Sequence, residues 1–63
     1  KTNIEFIGKS PSNINIYKFN YINSPITYTG VMAHEVSWAS EKHSNGYLMV
    51  DYNKLDVEFK RLN

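Results

Sequence analysis

The sequence predicts a small α+β domain, built as an antiparallel β-sheet or hairpin with two short helices. Three observations carry that expectation. The 63 residues are rich in asparagine, tyrosine and isoleucine, which favour strands and turns over a helical bundle. Turn signals at Lys9-Ser10-Pro11-Ser12, Ser24-Pro25 and Asn45-Gly46 divide the chain. Side chains alternate with period two in several of the segments so delimited, while the last apolar segment repeats at i, i+4, i+7. The length allows one domain, spanning residues 1–63.

Thr2 to Ile7 is the first expected strand. Residues 13–21 read as a strand in two phases. Ile14 and Ile16 alternate with asparagines; then Tyr17, Phe19 and Tyr21 alternate in the opposite phase. One inserted residue turns the later side chains to the other face, so a bulge or strong twist is expected near Ile16-Tyr17. Thr27 to Ala33 is the next strand, and the short link through 22–26 makes the two an antiparallel hairpin. Residues 33–42 predict a short helix with Ala33, Val36 and Ala39 on its apolar side, weakened by Ser37 and Ser40. Gly46 to Tyr52 predicts a strand. Asn53 then reads as an N-cap, with Asp56 three residues on. Leu55, Phe59 and Leu62 predict an amphipathic final helix, with Asp56 and Lys60 as an i,i+4 ion pair.

Composition excludes several functions. Folds of this size bury only about 60% of their unfolded surface. They usually add disulfides, a metal or a partner subunit. There is no cysteine, which rules out disulfides, cysteine zinc sites and thiol catalysis. Two histidines make a poor metal site, so no metal or cofactor is expected. A partner subunit is the expected source of further burial. Seven basic and six acidic residues are interspersed, so no nucleic-acid footprint is expected. No apolar run approaches a membrane span, and no membrane insertion is expected. The chain begins at Lys1 without Met and is expected to be part of a longer polypeptide.

Catalytic motifs are scarce. His34-Glu35 opens like a zinc-protease helix, but that motif needs a second histidine four residues on, and position 38 is Trp. The serines form no nucleophile elbow, and three scattered glycines make no phosphate loop. The tyrosines suit packing better than a sugar-binding surface. Asp51 suits a turn at a strand end. Residue chemistry alone supplies no function.

Two segments taken together supply a resemblance. Gly30-Val31-Met32-Ala33-His34-Glu35-Val36 reads GVMAHEV, and Gly46-Tyr47-Leu48-Met49-Val50-Asp51-Tyr52-Asn53-Lys54-Leu55 reads GYLMVDYNKL. In this order and spacing they resemble the C-terminal intramolecular chaperone domain of phage tail fibres and tailspikes, the endosialidase-type autoprocessing domain. Lys1-Thr2-Asn3-Ile4 resembles the end of that family's opening motif, S-D-x-R-x-K-x-N-I. Two departures stand out. His34 occupies a place where the family usually has Gln, and Lys9 to Ser12 replaces a longer helix.

The resemblance implies a homotrimer that holds three chains in register while the upstream β-structured fibre shaft of the same polypeptide folds. It implies location in the virion tail fibre, after assembly in the host cytoplasm. It also implies self-cleavage by a Ser–Lys dyad. By the resemblance Lys1 is the dyad lysine, and the serine is expected five residues upstream, outside this chain. A neutral lysine takes the serine proton, and the hydroxyl attacks the preceding carbonyl. The motif positions carried over are Gly30, Met32, Ala33, His34, Glu35, Val36, Gly46, Val50, Asp51 and Tyr52. Leu55, Phe59 and Leu62 are the expected assembly residues, with Ile4, Phe6, Tyr17 and Phe19 as candidates for the trimer axis. The alternatives are an uncleaved structural or adhesive trimeric tip on the mature fibre and an unrelated α+β interaction module.

Overall fold

Antiparallel strand pairing accounts for most of the regular structure. The computed structural model describes residues 1–63. Strands β1 (Thr2–Lys9), β2 (Asn15–Asn20), β3 (Thr27–Gly30) and β6 (Lys60–Arg61) form one sheet in the order β1-β2-β3-β6. Strands β4 (Ser40–Lys42) and β5 (Leu48–Val50) form a separate hairpin. Every neighbouring pair is antiparallel.

The phase change in β2 coincides with a register shift. Pairing passes from Phe6↔Tyr17 to Gly8↔Ile16, so Ile7 is the extra residue and the bulge lies in β1. A second shift falls between Thr2↔Asn20 and Glu5↔Lys18, where Asn3 takes a left-handed φ of 54°. The tip of the β4–β5 hairpin needs Gly46, whose φ is 85°. The outer edge of β1 pairs with no other strand.

Neither expected helix forms. Residues 33–42 fold instead as two single 3-10 turns, Ala33–Glu35 and Ser37–Ala39, followed by β4. Ser40 supplies one reason: its hydroxyl donates to the carbonyls of Val36 and Ala33 at 3.0 and 3.3 Å, offering the backbone a local alternative. The final segment holds one 3-10 turn, Tyr52–Lys54, capped by Asp51 rather than Asn53. The Asn53 N–H donates to Asp51 Oδ1 at 3.0 Å. Asp56 does not cap a helix either; it accepts the Ser12 N–H at 2.8 Å. Lys60 pairs with Glu58 at 3.2 Å, not with Asp56. A ten-residue helix is short of the roughly 12–15 residues that hold in water. The open edge of β3 competes successfully for its backbone: β6 pairs with Thr29 and Tyr28, and the Leu62 N–H donates to the Thr27 carbonyl at 2.8 Å. The result is a small β domain with helical turns, not an α+β domain with true helices.

The core is small. Val31, Val36, Ala39 and Val57 form its centre, with Ile14, Ile16, Val50, Tyr52 and Leu55 packed around them. Aromatic rings cover the sheet beside it. Phe59 stacks on Tyr28 at 5.1 Å between centroids, and the fully buried Phe19 lies 6.2 Å from Phe59. The molecule is a slab of 32 × 29 × 15 Å. Its accessible surface is 4520 Å², against about 4,200 Å² for a typical protein of this mass. Ile4, Phe6, Ile22, Trp38, Tyr47, Met49 and Leu62 are each at least half exposed. That burden of exposed apolar surface is large for so short a chain.

Candidate functional site

The hairpin register brings the first residue of the chain onto the aromatic face. Thr2 pairs with Asn20, so Lys1 sits beside the end of β2. The Lys1 residue as a whole is exposed, but its amine folds inward. Nζ lies 4.3 Å from the centre of the Phe19 ring and donates to the Val31 carbonyl at 3.3 Å. Loss of hydration at this part-buried position lowers the Lys1 pKa from its ordinary value. No carboxylate pairs with the amine; the three ion pairs of the molecule involve Lys18, His34 and Lys60.

A cavity of 630 Å³ opens beside Lys1. Ala33, Val50, Tyr52 and Phe59 line it, together with Tyr21 and the hairpin residues Tyr47, Leu48 and Met49. Lys1 is the one charged residue in this wall. The arrangement can hold an amine in a poorly hydrated setting, where the neutral base costs less to form than in water.

Tyr52 ties the site together. The Val31 N–H donates to its hydroxyl at 3.1 Å. That approach is possible because residue 30 is glycine: a Cβ there would stand 2.5 Å from the Tyr52 hydroxyl oxygen and 3.2 Å from Phe59. Burial raises the Tyr52 pKa, with the Val31 amide acting in the opposite direction. The two motif segments thus meet through Gly30, Val31 and Tyr52.

The other sequence-derived residues fall into separate groups. Met32 and Val36 are buried. His34 is exposed and stands 4.0 Å from Glu35. Glu35 accepts from the Tyr17 hydroxyl at 2.9 and 3.0 Å and shares no partner with Lys1; this contact is the largest cause of a raised Tyr17 pKa. Gly46 belongs to a turn and Asp51 to a cap. Leu55, Phe59 and Leu62 do not share one helical stripe. Leu55 packs on the core, Phe59 joins the aromatic face, and Leu62 lines a polar hollow with Asn3, Glu5 and Lys18. Phe19 is wholly buried within the chain, so it is not an exposed residue waiting at a trimer axis.

No group of three or more His, Cys, Asp and Glu side chains converges as a metal site. No helix is long and apolar enough to cross a membrane. No family model, curated protein or solved structure matches the chain. Sequence reasoning missed Phe19 as the seat of Lys1 and the Val31 carbonyl as its acceptor. The available signal was the β1–β2 hairpin: extended back by one residue, its pairing sets position 1 beside positions 19–21.

Proposed function

We propose that this chain is the C-terminal intramolecular chaperone segment of a phage tail fibre or tailspike. Three copies assemble and hold the upstream shaft in register. Lys1 then takes the proton of a serine hydroxyl five residues upstream, and the hydroxyl attacks the carbonyl before it. The C–N bond breaks to free the serine amine, which takes the proton, and water hydrolyses the resulting ester. The observation that carries this reading is the Lys1 amine, unpaired with any acid and partly desolvated where the GVMAHEV and GYLMVDY segments meet. The thin slab and its exposed apolar side chains support the assembly half of the reading. Burial of such surface contributes about 25 cal/mol per Å², so copies that cover one another gain what a single chain lacks.

A second reading is a retained, uncleaved trimeric tip. One observation favours it. The Val31 carbonyl and the face of Phe19 both stabilise the charged amine, which suits an anchoring lysine better than a base. The intact mass of the parent polypeptide after expression separates the two. A released fragment that begins at a serine five residues before Lys1, lost in Lys1→Ala while assembly persists, is the expected outcome. A single full-length mass favours the retained tip. Normal cleavage in Lys1→Ala removes the lysine from the chemistry.

A further inference from the structure

We propose that Tyr52 is the positioning residue for Lys1, acting through Val31, and that Gly30 is the space that allows it to do so. The inference rests on the reading of Lys1 as a base only for its use; the geometry stands apart from it.

Val31 is held from both of its backbone polar groups. Its N–H is committed to the Tyr52 hydroxyl at 3.1 Å, and its carbonyl receives the Lys1 amine at 3.3 Å. Val31 is itself wholly buried in the core, so close packing around its side chain resists displacement of the backbone that makes both bonds. It lies one residue beyond the end of β3, where the ladder to β2 has stopped at Tyr17↔Gly30. A backbone amide there has no strand partner, and the Tyr52 hydroxyl takes that place. The phenol is fixed in turn. Its ring packs edge-on against Phe59 at 5.7 Å, and Asp51 caps the turn that carries it. Loss of the hydroxyl leaves a buried N–H without an acceptor, and the Val31 segment must shift to find one. The carbonyl then turns off the amine, and Lys1 leaves the Phe19 face for water.

The test is Tyr52→Phe in this chain, read by NMR titration of the Lys1 ε-methylene. In the native chain Lys1 is expected to titrate below the ordinary lysine value of 10.5. In Tyr52→Phe its midpoint is expected to rise back toward that value. Tyr28→Phe is the matched control, because the Tyr28 ring packs in the same cluster but its hydroxyl is not among the hydrogen-bonding groups. It is expected to leave the Lys1 titration unchanged. An unchanged Lys1 midpoint in a folded Tyr52→Phe chain overturns the proposal, as does an equal shift in both variants. Should Tyr52→Phe fail to fold, the native chain decides. Contacts between the Lys1 ε-methylene and the Phe19 ring, with a Val31 amide protected from exchange, are expected; absence of either overturns the proposal. The titration is independent of processing. Cleavage that persists in the Lys1→Ala parent, beside the expected titrations, would remove the base and leave the positioning intact.

Discussion

Gly30→Ala is the most exacting change to make in this fold. The new methyl would stand 2.5 Å from the Tyr52 hydroxyl and 3.2 Å from Phe59 Cδ1. Forcing a methyl into packed space costs about 1–3 kcal/mol. The phenol would have to retreat, and the buried Val31 N–H would lose its acceptor, for roughly 1–3 kcal/mol more. Alanine returns about 0.4–1 kcal/mol through a less flexible unfolded chain. The net loss is about 3 kcal/mol, a large part of the roughly 3–9 kcal/mol expected of a chain this long. The corresponding fall in melting temperature is about 10 °C or more. The same substitution combined with Tyr52→Phe should cost about 1 kcal/mol or less. The Tyr52 ring carbon that remains lies at an ordinary 3.5 Å, the hydrogen bond is already gone, and only the 3.2 Å contact with Phe59 Cδ1 persists as the residual cost. Urea denaturation of the four chains at one protein concentration measures both costs, and the difference is the coupling. Equal costs in the two backgrounds, within about 0.5 kcal/mol, would show that the hydroxyl does not fill the space above Gly30.

Other expectations concern assembly, the aromatic face and the acid-sensitive contact of Asp56. The 63-residue chain should scatter light as a trimer at micromolar concentration; a well-folded monomer would contradict the assembly half of the proposed function. Phe59→Ala should lower stability by about 2 kcal/mol, below the ~3–5 of a fully buried ring because this one is partly exposed, while Leu62→Ala should stay within about 0.5 kcal/mol. Thermal melts that rank the two the other way would refute the placement of the aromatic face. The Ser10 hydroxyl, with the Ser12 groups, holds the Asp56 carboxyl below the usual aspartate range. Its folded pKa is therefore depressed. The stability it contributes is complete above the unfolded value of about 3.9 and is lost as pH falls through the lower folded value. Asp56→Asn should remove that acid-dependent loss, and parallel acid melts for the two chains would refute the contact.

Strands β1, β2, β3 and β5 and the turns were legible because their signals are local, whereas β4 and β6 fall in the segments read as helices. Asn45-Gly46, Ser10-Pro11 and the phase reversal at Ile16-Tyr17 each mark a feature that the backbone adopts. The final helix misled because i, i+4, i+7 spacing is compatible with an extended segment whose residues meet three different surfaces. Leu55, Phe59 and Leu62 do this, and the spare edge of β3 decides the matter from a distance of thirty residues or more. Of the site, Gly30 and Tyr52 stood within the motif segments, but their mutual approach depends on tertiary packing. Lys1 was marked by resemblance; its seat on Phe19 follows from a pairing register that composition does not encode.

The broken ladder of β1 has a bearing on how copies of this chain can meet. An eight-residue edge strand with exposed Ile4, Phe6 and Ile7 would ordinarily invite strand-by-strand stacking and fibre growth. Here regular pairing runs for no more than two residues before a shift interrupts it, first after Thr2 and again between Phe6 and Gly8. An incoming strand would find its hydrogen-bonding groups out of step almost at once. Uncontrolled templating is thereby suppressed without any proline on the edge. Edge addition has no natural end, and the interrupted register of β1 leaves the proposed assembly to side-chain contacts on the faces of the slab.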